Sequence, residues 1–360
     1  MRKFGNPRLL VSLLALFTVL LSACGGSTGS STTPAAGTTP SASTAPAKGV
    51  ALVTDIGGLN DQGFNQLSNA GYEAARKKYN FPRAVIETKS EGDYIKNLTQ
   101  ATQSADLIIG VGFLMATAID QVAKAHPDKK YALIDSCASD AKGNCENLPN
   151  VAPLFFKEEQ AGCLVGAAAA QMELDGKAKV TKLLGSNTIG AIGGVKIPPV
   201  DHYIAGYQFC AKKVDPSIKV VVNYSQSFVD TAKCKDIANS QINQSKADII
   251  FQVAGGCGVG ALQAANEKGV YGIGVDSDQG KINTSVITSA VKKVDAAVSQ
   301  TIESFETNKF TNTPAPFDLK SDGVGYAPFS SDVPADAKAI ADKYSADIIA
   351  GTLTVPNTVQ

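Results

Sequence analysis

Residues 51–75, ALVTDIGGLNDQGFNQLSNAGYEAA, run from an apolar strand through a glycine-rich turn into a helix. The apolar run ends at Asp55, the turn is eased by Gly57, Gly58 and Asn60, and an amphipathic pattern begins near Gly63. This is the first half of a βαβ unit, and open α/β sheets receive ligands at the carboxyl ends of their strands. Asp55, Phe64 and Asn65 stand at that end. They offer a carboxylate that accepts hydrogen bonds, a ring that can stack, and an amide that both donates and accepts, a set able to read the edge of a polar heterocycle. By itself, a phenylalanine such as Phe64 is more often a core residue than a ring stacked on a ligand.

The same alternation continues outward. Runs rich in Val, Ile and Leu at 50–55, 83–87, 107–110, 131–135, 151–156, 188–192, 219–224, 249–253, 272–275 and 285–288 read as strands. Helical patterns at 63–79, 94–104, 113–125, 158–173, 203–214, 231–245, 259–268 and 290–307 lie between them. Strands alternating with crossover helices specify parallel sheets, and a chain of 360 residues exceeds one ordinary domain. The strands end in small or acidic residues: Asp55, Gly110, Asp135, Gly193-Gly194, Gly255-Gly256 and Asp276. Those ends reach one ligand only if two sheets face each other. The expected fold is therefore two Rossmann-like α/β lobes with parallel sheets, clamped across a cleft and joined by three hinge segments. The first lobe is expected at 49–156 and 286–323, the second at 157–285, and a last crossing with a C-terminal helix at 324–360. The crossings should follow Phe156-Lys157, return near Ile287 and pass again near Gly323–Tyr326.

The amino-terminal residues read as an address. Arg2, Lys3 and Arg8 precede the apolar run Leu9–Leu21, which is shorter than the roughly 20 residues a membrane span needs. It ends in Leu21-Ser22-Ala23-Cys24, which resembles a bacterial lipoprotein signal: residues 1–23 would be removed and Cys24 would carry lipid. Residues 25–48, GGSTGSSTTPAAGTTPSASTAPAK, cannot repay their ordering entropy with burial, so 24–48 reads as lipidated Cys plus flexible tether. The expected place is the extracytoplasmic face of a bacterial membrane, held by lipid. Lys plus Arg and Asp plus Glu are both 33, so no basic excess points to nucleic acid.

Assigning one of seven cysteines to lipid leaves an even number, which in an exported chain favours disulfides. Cys137 and Cys145 flank a short polar loop, and Cys210 and Cys234 frame a helix-to-strand unit. Pairing those two sets leaves Cys163 with Cys257, and buried free thiols are the alternative. No CxxC occurs and His126 and His202 are the only histidines, so neither a metal nor a cofactor is expected.

Catalytic motifs are missing. HExxH, GxSxG and the P-loop do not occur, and GGCGVG at 255–260 lacks the context of a dinucleotide site. Its simplest reading is a tight strand-to-helix turn, or backbone N–H groups facing a ligand. An enzyme is therefore not expected.

Ordered blocks carry a resemblance: TDIGGLNDQGFNQ, AHPDKKYALID, FFKEEQAGCLVGAAAA, IGAIGGVKIPPV, NYSQSFVDTAKCKDIA, ADIIFQVAGGCGVGALQAANEKG, GIGVDSDQ and VITSAVKKVDAAV. Across about residues 50–300 the chain resembles the basic membrane protein family, bacterial lipoproteins that bind purine nucleosides for ABC importers. GTLTVP near the end resembles that family's closing strand. The resemblance implies a type I periplasmic-binding-protein fold, a nucleoside ligand, an ABC permease as partner and a monomer. It further implies that Phe64 and Phe228 stack the base while Asp55 and Asn65 meet its edge. Asp135, Asp276 and Lys292 would hold the ribose, with Gly256 at the turn beside it. A sugar or autoinducer receptor of the same fold is the nearest rival, and a surface nucleosidase or an adhesin are the more distant ones.

Overall fold

Val50–Thr54 (β1) is buried along its whole length, as a strand covered on both faces must be. In the computed structural model, which describes residues 48–359, β1 lies inside a parallel sheet of order β2-β1-β3-β4-β5. The other members are Val85–Glu87 (β2), Leu107–Val111 (β3), Lys130–Ile134 (β4) and Val151–Leu154 (β5). Phe64–Tyr79 (α1), Tyr94–Thr102 (α2) and Ala116–Ala125 (α3) connect them. Alternation decides the layering: Val50 and Leu52 pack with Tyr72 of α1, whereas Ala51 and Val53 pack with Tyr94 and Leu98 of α2. The expected signal peptide 1–23 and the Cys24 tether lie outside the described residues.

A second sheet has the order β11-β10-β9-β8-β6-β7. It contains Thr188–Gly193 (β6), Lys219–Tyr224 (β7), Ile249–Val253 (β8), Tyr271–Asp276 (β9), Val286–Lys292 (β10) and Val324–Tyr326 (β11). All its pairings are parallel except that of β10 with β11. Glu158–Lys179 (α4), Pro198–Val214 (α5), Thr231–Ser245 (α6), Gly255–Glu267 (α7), Val294–Glu306 (α8) and Ala335–Ile349 (α9) complete the order. Each sheet with its covering helices forms one lobe.

Three expectations are corrected. Residues 286–292, expected in the first lobe, form β10 of the second sheet, hydrogen-bonded between β9 and β11. The return crossing therefore falls at Lys292–Val294: α8 goes back to pack on α1, and the segment after it follows, with Asn312 donating to Asn147 and the Phe317 amide to the Phe155 carbonyl. The sequence pattern blurred this because Ser289-Ala290-Val291 fits a strand or a helix. Secondly, GTLTVP at 351–356 is not a strand: Gly351 lies in a turn, Thr352 at a bend, and the residues after them pair with no strand. The third concerns the cysteines.

Cys137 pairs with Cys145, as expected, but Cys163 pairs with Cys210 and Cys234 with Cys257. The expected pairs Cys210–Cys234 and Cys163–Cys257 fail for a simple reason. Cys163 and Cys210 belong to the core on one face of the second sheet, whereas Cys234 and Cys257 belong to the core on the other. Sequence neighbours were thus separated by a sheet. On one face α4 and α5 approach so closely that a Cβ on Gly206 would sit 1.9 Å from the Glu159 carbonyl, and the Cα atoms of Cys163 and Cys210 come within 4.9 Å. On the other face α6 and α7 bring the Cα atoms of Cys234 and Cys257 to 5.6 Å. Both separations lie in the range a disulfide requires.

Candidate functional site

The carboxyl ends of the two sheets border one cleft with about 650 Å³ of empty space. Asp55, Phe64, Asn65, Asp135, Phe228, Gly256, Asp276 and Lys292 all line it. The first lobe supplies Asp55 after β1, Phe64 and Asn65 at the start of α1, and Asp135 after β4. The second lobe supplies Phe228 after β7, Gly256 in the first turn of α7, Asp276 at the end of β9 and Lys292 at the end of β10. The two rings thus come from opposite lobes.

Asp135 and Asp276 occupy matching places at strand ends, and both have left-handed backbones, with φ of 69° and 61°. That conformation is uncommon for residues other than glycine and tends to cluster where function demands it. Asp135 Oδ2 accepts from Lys292 Nζ at 2.7 Å, while its Oδ1 is buried without a hydrogen-bond partner among the described residues. Asp276 Oδ1 accepts from the Tyr203 hydroxyl at 3.2 Å. Burial pushes Asp276 up to about 6, with Lys292 opposing the rise.

Lys292 is the electrostatic centre. Its side chain is 3% exposed, and its ammonium also lies 3.4 Å from Glu158 Oε1. The rings of Phe64, Phe156 and Tyr203 surround it, with centres 4.8, 5.2 and 5.8 Å from Nζ. Burial works against this charge, but Asp135, Glu158 and Asp276 outweigh it and raise the lysine pKa. Burial also raises Asp135, with Lys292 pulling it back. Because Asp135 ends a first-lobe strand and Lys292 a second-lobe strand, their ion pair ties the lobes across the cleft. A second tie is made at the carbonyl of Gln62, which accepts from Ser277 Oγ at 2.7 Å and Gln279 Nε2 at 3.1 Å.

The first turn shows why its residue types were needed. Asn65 Oδ1 accepts the Asp55 amide at 3.0 Å and Asn65 Nδ2 donates to the Ile56 carbonyl at 3.1 Å. Asn65, expected to read a ligand edge, therefore spends half of its hydrogen-bonding capacity on the backbone and holds Asp55 in place. Asp55 Oδ1 accepts from the Ile56 amide and the Tyr94 hydroxyl. Asp55 Oδ2 lies against Gly112, whose φ of 110° and lack of a Cβ leave room for it; a Cβ there would sit 2.5 Å away. Burial pushes Asp55 up to about 6 against the hydrogen bonds from Tyr94 and Ile56.

Several site residues escaped sequence reasoning. Asp61 also lines the cleft and accepts the backbone N–H groups of Gly63, Asn65 and Gln66 at 3.0, 2.7 and 3.1 Å, a capping role. Its signal, an acid just before a helix, was present in Asn60-Asp61-Gln62. Tyr94, Tyr203, Phe156 and Glu158 read only as helix or core residues. Glu158, Glu159 and His202 place ligating atoms within 4.8 Å of one another. Glu158 already serves Lys292 and meets His202 Nδ1 at 3.2 Å, while Glu159 lies 3.8 Å from Lys157 Nζ, so each member already has a partner within the protein.

Over residues 48–358 the chain matches the family described as ABC transporter substrate-binding protein, PnrA-like. It is 32% identical to the ABC transporter nucleoside-binding protein BmpA of Lactococcus lactis, over 85% of this chain and 88% of that one. It is 30% identical to a CD4+ T-cell-stimulating antigen of Listeria monocytogenes, over 97% of each. A lipoprotein of Pyrococcus furiosus is 32% identical over 77% of this chain and 69% of its own. Among solved structures, an ABC transporter solute-binding protein from Aeropyrum pernix superposes with a TM-score of 0.77 at 23% identity, covering 87% of this chain and 94% of that one. That likeness carries the periplasmic-binding-protein type of fold.

Proposed function

The chain belongs to the PnrA-like ABC transporter substrate-binding proteins, which bind a ligand and work with a permease rather than catalyse a reaction, and from that premise we propose that its ligand is a nucleoside, with purine nucleosides preferred. One observation carries the reading: two rings from opposite lobes, Phe64 and Phe228, border the same cleft as four buried carboxylates and a lysine. A base stacked between rings gains about 1–3 kcal/mol per face with little regard for its identity. Selectivity then falls to Asp55 and the remaining N–H of Asn65. Sugar hydroxyls suit Asp135 and Asp276, since hydrogen bonds to charged groups contribute about 1.5–3 kcal/mol each.

The open protein takes ligand on one lobe, and the Asp135–Lys292 and Gln62 ties form as the cleft shuts. Closure favours a ligand only by as much as the closed state binds it better. The closed protein then docks on a membrane permease and releases its ligand for import. Lipid on Cys24 holds it, as a monomer, at the extracytoplasmic face of the membrane, in keeping with the relatives named lipoproteins. No helix among the described residues is long and apolar enough to cross a membrane.

Calorimetric titration of the chain, freed of carried ligand, against purine and pyrimidine nucleosides, free bases, ribose and galactose tests this. Binding of nucleosides far above bases and sugars is expected. Binding of sugars alone would replace the nucleoside with a sugar in the same cleft.

A further inference from the structure

Phe228 lies in the loop between β7 and α6, and its ring borders the cleft beside the end of β6, where a Cβ on Gly194 would come within 2.3 Å of it. The loop is anchored unevenly. Its first half is tied to the end of β6, with the amides of Ser225 and Gln226 donating to the carbonyls of Gly193 and Gly194 at 2.9 and 3.0 Å. Its second half bonds largely to itself: Ser227 Oγ accepts the amides of Val229 and Asp230 at 3.2 and 3.0 Å. A link from there to another element comes from α7, whose Cys257 amide donates to the Phe228 carbonyl at 3.0 Å.

Cys257 stands in the first turn of α7, beside Gly256 of the cleft wall, and Cys234 stands in the first turn of α6. Both are fully buried, and their disulfide joins the two helix starts that bracket Phe228. Cys257 Sγ lies 2.8 Å from the carbonyl of Asp230, the residue that caps α6. The other disulfide between two helices, Cys163–Cys210, closes a longer loop, with a sequence separation of 47 against 23. It lies in the core on the other face of the sheet, and no cleft-lining residue is next to either of its cysteines in the chain. Both links constrain the unfolded chain, but Cys234–Cys257 also fixes, in the folded one, the amide that holds the backbone of a site ring.

We propose that the Cys234–Cys257 disulfide is a positioning element of the ligand site, holding the Phe228 ring in place before ligand arrives, so that base recognition depends on it as well as stability. The inference rests on the nucleoside reading above, which assigns Phe228 to the base. A ring ordered in advance spares the ligand the cost of ordering it.

Titration of a nucleoside into the full chain and its variants, each freed of carried ligand, tests it, with urea unfolding run on each. The double variant Cys234→Ala/Cys257→Ala should bind the nucleoside about tenfold more weakly, within what one stacked face contributes. The double variant Cys163→Ala/Cys210→Ala should change affinity by less than about twofold while losing at least as much stability, because it frees the longer loop. In a Phe228→Ala background, Cys234→Ala/Cys257→Ala should add almost no further loss of affinity, since its effect passes through the ring. Affinity losses that follow stability in both pairs, or a full further loss in the Phe228→Ala background, overturn the positioning role alone. Failure of nucleosides to bind the unaltered chain overturns the nucleoside reading and this inference with it. If Cys234→Ala/Cys257→Ala does not fold, hydrogen exchange on the unaltered chain decides. The Cys257 amide should be as protected without ligand as with it, whereas protection gained only on binding would mean that the ligand, not the disulfide, orders the loop.

Discussion

Replacing Lys292 by Met removes the ammonium and keeps most of the volume, which isolates the charge. Lys292 lies 2.7 Å from Asp135 and 3.4 Å from Glu158, both nearly fully buried. At an effective dielectric of about 20 these attractions are worth roughly 6 and 5 kcal/mol before desolvation is charged against them. Removing one partner of such a buried pair costs about 3–5 kcal/mol net, because the other charge stays behind unpaired. The unfolding constant at pH 8 should therefore rise by about two to three and a half decades. Its pH dependence carries the sharper test. A carboxyl whose folded pKa lies above its unfolded value holds its proton more tightly when folded, so its contribution is complete below the unfolded pKa and is lost as pH rises through the folded one. For Asp276 that window runs from 3.8 to about 6. Without Lys292 the window for Asp276 and Asp135 extends further upward, since the charge that opposed their rise is gone. Urea unfolding followed by circular dichroism at pH 5 and pH 8, disulfides intact, should show most of the deficit at pH 8 and a minor part at pH 5. A deficit equal at both pH values, or below about 1 kcal/mol at pH 8, would refute the charge argument and leave only a packing defect.

Other consequences are as direct. Mass mapping of an unreduced digest should recover peptides joining Cys163 to Cys210 and Cys234 to Cys257; a peptide joining Cys163 to Cys257 would contradict the helix packing on the second sheet. Asp55→Asn removes a group whose pKa burial lifts from 3.8 to about 6, so the variant should be about 1–2 kcal/mol more stable than the wild type at pH 8 and gain little at pH 4. Its nucleoside affinity should nevertheless fall at least about tenfold at pH 8, and unchanged affinity would remove Asp55 from the site. Gly194→Ala would set a Cβ 2.3 Å from the Phe228 ring, so the ring must move. Nucleosides should then lose about 1–3 kcal/mol in titration while ribose changes little, and equal losses for both would detach Phe228 from base stacking.

What the sequence made legible, and what it hid, follows from the range of each interaction. Strands and helices rest on local periodicity, and Ala51–Ala75 carries enough of it to place Asp55, Phe64 and Asn65 at a strand's mouth. Asp135 and Asp276 were legible as strand ends that reach one ligand if two sheets face each other, whereas Lys292 entered only through family resemblance, because nothing local marks a lysine between a strand and a helix as buried. Cysteine pairing was half hidden for the same reason: Cys137–Cys145 closes a loop within one segment, whereas the other two pairs depend on which face of the second sheet each helix covers. The boundary at residue 286 failed because a local pattern marks 285–288 as a strand without saying which sheet it joins, and ladder pairing with β9 and β11 put it in the second. Glu158 and Tyr203 mark the deepest limit. Each sits on a helix where a core position and a site position look alike, and they become part of the site only because Lys292 was placed among them. A buried charge obliges its surroundings to supply counter-charges and polarisable rings. Once Lys292 is known to be buried, Asp135, Glu158 and the three rings around it are what physics requires.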